Sequence, residues 1–123
     1  MGKTLAEKIL SQKSGGDARS GNIVIAEVDL VFAQDTTGPL TIRHFQASGF
    51  KRLASPHKTA LFLDHAAPSP NYGLANDHII LRQFAQQTSC LISEVGEGVC
   101  HQIVVESLAK PGDVIIGADS HTV

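Results

Sequence analysis

Val114-Ile115-Ile116-Gly117-Ala118-Asp119-Ser120-His121-Thr122 is the stretch that decides how this chain folds. Three consecutive branched apolar residues suit a strand covered on both faces, as in a parallel sheet. An acid, a hydroxyl and an imidazole follow almost at once. Open α/β sheets bind their ligands outside the carboxyl ends of the strands. A last strand over residues 113–118 therefore delivers Asp119, Ser120 and His121 to the ligand edge of a sheet.

Upstream, strands alternate with helices. Residues 4–12 predict a short helix, with Thr4 as N-cap and Leu5 and Ile9 at helical spacing. A loop with Gly15-Gly16 and Gly21-Asn22 ends it. Ile23-Val24-Ile25-Ala26-Glu27-Val28-Asp29 predicts a strand. Gly38-Pro39 opens a second helix carrying Leu40, Ile42, Phe45 and Ala47, and Gly49 closes it. Residues 60–63 predict a short buried strand that ends in Asp64-His65. Residues 74–87 form the clearest helix, with Leu74, Leu81 and Ala85 as its apolar stripe and Asn76 as its cap. Residues 90–92 predict a third short strand. Residues 99–107 suit a strand as well as a helix, because Val99, Ile103, Val104 and Val105 are β-branched. Pro111-Gly112 makes a turn. The alternation implies an α/β fold, three layers around a mostly parallel sheet. A chain of 123 residues has room for one such domain, assigned to 1–123.

Composition narrows the function classes. A formal charge of −2 argues against nucleic acid. No apolar run approaches the roughly 20 residues that span a bilayer. The N-terminus lacks the apolar stretch of a secretory signal, so a cytoplasmic location is the default expectation. Cys90 and Cys100 are too few for a disulfide framework, and also for an iron–sulfur cluster, which takes four ligands. The charge is uneven. Residues 61–123 hold seven Asp/Glu against two Lys/Arg, together with four of the six histidines.

Those histidines stand beside acids at the ends of predicted elements. Asp64-His65 follows one strand, Cys100-His101-Gln102 follows a glycine-rich break, and Asp119-Ser120-His121 follows the last strand. In a parallel sheet the two strand ends face one edge, where His65, His101 and His121 would converge. A carboxylate beside an imidazole favours the imidazolium, which can protonate a poor leaving group near neutral pH. The alternative is that each His is a solvated loop residue or a satisfied core residue. Gln34-Asp35-Thr36-Thr37-Gly38-Pro39 is a fourth spot, where a helix start favours anions; plain capping by Asp35 or Thr37 explains it equally. Asp77-His78 is read as structural. Adjacent Cys100 and His101 point in different directions on a helix, which disfavours joint chelation.

Taken together, Gln34-Asp35-Thr36-Thr37-Gly38, Asp64-His65, Gly98-Val99-Cys100-His101-Gln102 and Gly117-Ala118-Asp119-Ser120-His121-Thr122 resemble, in order and spacing, the first domain of the aconitase superfamily. Met1 to Leu10, Asn76-Asp77-His78 and Lys110-Pro111-Gly112-Asp113 are more similar to its 3-isopropylmalate dehydratase and homoaconitase large-subunit branch; Gln34 is more similar to the aconitase pattern. The resemblance implies a hydro-lyase that removes and re-adds water on a hydroxy di- or tricarboxylic acid, using a [4Fe–4S] cluster. It implies His65, His101 and His121 around the departing hydroxyl, Asp64 and Asp119 as their carboxylate partners, and Gln34 and Ser120 as substrate contacts. It places the cluster cysteines, the base that takes the α-proton and the substrate-binding arginines beyond residue 123. Further large-subunit domains and a separate small subunit are the implied partners, with the carboxylic acid as substrate. The chain is thus expected to be a fragment of a longer protein. The competing expectation is a non-catalytic fragment that only folds, or binds a partner or RNA.

The 123-residue chain alone is predicted neither to hold a cluster nor to turn over substrate. Reconstitution with iron and sulfide should leave no stoichiometric cluster absorbance, and a cluster with dehydratase activity would overturn the expectation.

Overall fold

A computed structural model describes residues 2–122. Four parallel strands lie in the order β3-β2-β1-β4, with β1 at Leu30–Gln34, β2 at Thr59–Phe62, β3 at Leu91–Ser93 and β4 at Ile115–Ala118. The helices are α1 (Leu5–Ser14), α2 (Gly38–Ala47), α3 (Tyr72–Thr88) and α4 (Cys100–Ile103), the last running on as a π-helical turn over Val104–Leu108. This is the expected α/β fold with a parallel sheet.

Alternation along the strands separates two cores. Ala33, Leu61 and Leu63 pack with Ile42 of α2 and with Leu81, Phe84 and Ala85 of α3. Leu30, Phe32, Ala60 and Phe62 pack with Cys100 and Val104 on the opposite face. β1, β2 and β3 step in one direction with α2 and α3 on one face. The chain then crosses back over the sheet to β4 through α4, so α4 lies on the other face, as right-handed crossovers require.

Local sequence explains most element ends. Thr4 and Glu7 form a capping box at α1, each side chain bonded to the other's backbone N–H at 3.2 and 2.8 Å. Pro39 stands in the first turn of α2. The N-cap of α3 is Asn71, whose side chain accepts from the Leu74 N–H at 3.0 Å, and not Asn76, which lies inside the helix. The ambiguous stretch at 99–107 resolves as helix from Cys100 onward, with Val99 as its extended N-cap, packed by Cys100 and Val104 against the sheet.

The predicted strand at 23–29 does not form. Residues 22–28 run irregularly, with Ile23 100% and Ile25 93% exposed. An alternating β-branched run becomes a strand only beside a partner edge. Both edges of the central strand are occupied by β2 and β4 along residues 30–34. Pairing starts at Asp29, which donates its N–H to the Val114 carbonyl and accepts the Val114 N–H on its carboxylate, both at 2.8 Å. Lys13 pairs with the same carboxylate at 2.6 Å and anchors α1.

The register puts Ala33 beside Ala118 and Gln34 beside Phe62, which pairs with Ser93. All four strands therefore end at one edge. On the α2 face, beyond β1, a cavity of about 610 Å³ is lined by Val31, Ile116, Thr41, Phe45 and Leu53. No helix among the described residues is long and apolar enough to cross a membrane.

Gly117 leaves no room for a side chain. A Cβ there would lie 2.6 Å from the buried Phe32 ring and 2.5 Å from Thr122 Oγ1. Gly117→Ala is expected to cost about 1–3 kcal/mol of stability through overpacking. Urea denaturation of the two chains measures it, and an unchanged midpoint would refute the crowding argument.

Candidate active site

The site begins with a residue of the first strand's exit. Asp35 directly follows β1 and is 0% exposed. Its Oδ1 accepts the His65 N–H at 3.0 Å, and its Oδ2 accepts the Ala66 N–H and His78 Nε2, both at 2.9 Å. A buried carboxylate persists when its lone pairs are filled in this way. Three donors from the β2 exit and α3 fill them, so the Asp64-His65 corner is held by its own backbone.

That corner aims the first imidazole. His65 Nδ1 donates to Asp64 Oδ1 at 2.9 Å, and the second Asp64 oxygen accepts the Cys100 N–H at 2.6 Å, where α4 begins. The Asp64 hydrogen bond, followed by its charge, holds His65 above the ordinary histidine range against partial burial. Burial pushes the Asp64 carboxyl upward, but the bonds from His65 and Cys100 outweigh it and keep the group below the usual carboxylate range. With Nδ1 committed to Asp64, His65 presents Nε2, which lies 3.4 Å from Asp119 Oδ1.

Asp119 is the meeting point. Its carboxylate is 4% exposed. His101 Nε2 lies 3.3 Å and His121 Nδ1 3.5 Å from Oδ2, and Gln34 Nε2 donates to Oδ1 at 3.3 Å. The His101 ring stands 6.1 Å from that of His65 and 6.3 Å from that of His121, edge to face in both cases. The His121 backbone N–H, at 2.6 Å, is the chief reason that the Asp119 carboxyl sits below its usual range. Gln34 and the charges of His101 and His65 add to this, against burial.

The structure thus brings Gln34, Asp64, His65, His101, Asp119 and His121 into one cluster. Gln34 is 3% exposed, and its carbonyl accepts from the Thr36 N–H at 2.5 Å and the Thr36 hydroxyl at 2.7 Å. One hydrogen of its amide stays uncommitted among the described residues. Ser120 lies at the margin, exposed, with Oγ 3.3 Å from His121 Nδ1.

Two expectations need correction. Neither Asp35 nor Thr37 caps α2 by its side chain: Thr37 holds the N-cap position without a capping bond, and Asp35 is spent on His65, Ala66 and His78. Cys100 and His101, adjacent in sequence, do bring ligand atoms within 4.8 Å of each other and of His65. The helix turns between them, but both side chains reach the same end of the sheet.

The sequence reading of His78 as structural agrees with its burial, but the pairing of His78 with Asp35 beneath the site was missed. The available sign was that His78 lies four residues after Leu74 and three before Leu81, inside the apolar stripe of α3. A histidine there is buried, at 4% exposure, and demands a partner.

The cysteines present do not fit an iron–sulfur cluster. Cys90 belongs to the core on the α2–α3 face and Cys100 to the core on the α4 face, so the sheet separates them. Burial, then the neighbouring Asp64, pushes the Cys100 thiol up to about 12, whereas cluster ligands are thiolates.

A sequence model of the aconitase family (aconitate hydratase) matches residues 7–123. Among curated relatives, the 3-isopropylmalate dehydratase large subunit of Elusimicrobium minutum is 52% identical over 99% of this chain. A large subunit of the same description from Thermotoga maritima is 49% identical and one from Archaeoglobus fulgidus 50%, each over 99% of this chain. The chain spans 29% of the length of each of these relatives.

His65 is expected to titrate above the ordinary histidine value of about 6.5. Because its folded value exceeds its unfolded one, the Asp64 pairing stabilises the fold fully below the unfolded value. That contribution is lost as pH rises through the folded value. Ring-proton NMR titration should show the raised midpoint, and Asp64→Asn should lower it; a midpoint indifferent to that substitution would exclude the pairing as its cause.

Proposed function

This chain belongs to the aconitase family, and from that premise we propose that it forms the first domain of a hydro-lyase acting on a hydroxy di- or tricarboxylic acid. The names of its relatives favour 3-isopropylmalate as substrate, with homocitrate-type acids and citrate as the other members of the class. The family's iron–sulfur cluster then takes its ligands from residues outside this chain. The groups that hold the substrate carboxylates also come from outside it: residues 61–123 hold Arg82 and Lys110 as their only Lys/Arg residues, and Arg82 is bound bidentately to Glu94 at 2.8 and 2.6 Å. The relatives' description as large subunits supports a small subunit as partner.

The observation that supports this reading most is the Asp64–His65 pair with its free Nε2 beside Asp119. Hydroxide is a poor leaving group and departs when a proton reaches its oxygen. His65, held protonated by Asp64, gives the Nε2 proton as the carbon–oxygen bond breaks, and water results. The Asp64 bond keeps the remaining hydrogen on Nδ1, so the neutral ring is ready to take a proton from water in the reverse direction. His101 and His121, arranged around Asp119, orient the departing oxygen at the sheet edge. The uncommitted amide hydrogen of Gln34 and the exposed Ser120 hydroxyl contact substrate. The α-proton leaves to a base outside this chain.

The test uses the full-length protein, reconstituted anaerobically and assayed on 3-isopropylmalate, homocitrate and citrate. His65→Ala is expected to lower kcat by about 10²–10⁴ with the circular dichroism unchanged. Wild-type turnover by that variant, or no dehydration of any of the three acids by the parent, would sink the assignment.

A further inference from the structure

We propose that His101, Asp119 and His121 form a binding site for one divalent transition-metal ion of the zinc class. This goes beyond the dehydratase reading, since it requires neither cluster nor substrate.

The separations carry the argument. Tetrahedral zinc sites have nitrogen and oxygen bonds of about 2.0–2.1 Å, which puts neighbouring donor atoms about 3.3 Å apart. His101 Nε2 and His121 Nδ1 lie 3.3 and 3.5 Å from the same oxygen, Asp119 Oδ2. All three donors fall within 4.8 Å of one another. Two imidazoles and a carboxylate are a donor set that suits zinc and leaves a fourth position open. His65 Nε2 lies 3.4 Å from the other Asp119 oxygen, outside the trio.

Hydrogen bonding explains the cluster only in part, since His121 Nδ1 has the exposed Ser120 hydroxyl at 3.3 Å but His101 has nothing equivalent among the described residues. His101 Nε2 is shielded from solvent and has no hydrogen-bond partner among the described residues, although a carboxylate oxygen lies 3.3 Å away. The contact has the length of a weak hydrogen bond without its alignment, so the nitrogen is left for another atom. The surroundings are also those of a ligand carboxylate. Gln34, itself fixed by Thr36, donates to Oδ1 and the His121 backbone N–H donates to Oδ2 at 2.6 Å, which orients Asp119 and leaves one lone pair of Oδ2 for a metal beside the imidazoles. The alternative trio of His65, Cys100 and His101 is weaker, because the Cys100 thiol would have to lose its proton against burial.

Calorimetric titration of the metal-free, untagged protein with Zn²⁺, in the absence of substrate, tests the site. One equivalent should bind, and Co²⁺ in its place should give the intense visible absorption of a four-coordinate ion. His121→Ala removes a side chain that is 80% exposed, so the fold should survive, as thermal melting will verify. It should weaken binding at least about tenfold, as should His101→Ala and Asp119→Asn, while His57→Ala should not. No saturable binding, or an affinity indifferent to His121→Ala and His101→Ala, would overturn the proposal. The readout is metal affinity alone, so its failure leaves the dehydratase assignment standing and the reverse also holds.

Discussion

The interaction on which the molecule turns is the fully buried carboxylate of Asp35. A charge with no solvent access is destabilising unless donors surround it. Here they come from a loop some 30 residues downstream and from a helix more than 40 residues downstream. The requirement works in both directions. Asp35 is tolerable only if α3 and the β2 exit come to it, and the β2 exit has a defined path only because Asp35 is there. The parallel register then does the rest. It aligns the strand ends so that Asp119 arrives beside a corner already fixed.

Most of the fold was legible in the sequence because alternating strand and helix patterns leave few topologies open. β2, β3, β4, α2 and α3 lie close to where their residues place them. The exception is instructive. Ile23-Val24-Ile25 has a better strand pattern than Leu30-Val31-Phe32-Ala33-Gln34, yet the latter is the central strand. Propensity describes what a segment tolerates, whereas pairing depends on which edge is free. Asp29 decides the matter with one reciprocal pair of bonds to Val114, a contact between residues 85 apart that no local window contains. The helical state of residues 99–107 was undecidable for a related reason, since its β-branched residues are helical only by packing on the sheet.

The candidate site was legible to a similar extent. Asp-His adjacency at strand ends, with a parallel sheet, is enough to bring His65, His101 and His121 together. The support beneath them was hidden, because Asp35 looks like a helix cap and His78 like a polar interruption of an apolar stripe. The resulting cluster holds two neighbouring sets of donors, one for a proton and one for a metal ion. The acid, His65, keeps its own partner in Asp64, whereas a metal ion would take His101, Asp119 and His121, the groups that otherwise orient the departing oxygen.

One flank of the sheet carries a different message. Val31 and Ile116 are cross-strand partners, each about half exposed, above a cavity that α2 only partly roofs. Together with the fully exposed Ile23 and Ile25 they give the chain an oily side and a polar active edge. Left uncovered in water, such a side favours self-association over colloidal stability. This apolar face runs, through Ala33 and Ala118, up to the residues just before Gln34 and Asp119, so whatever covers it also borders the cluster of histidines.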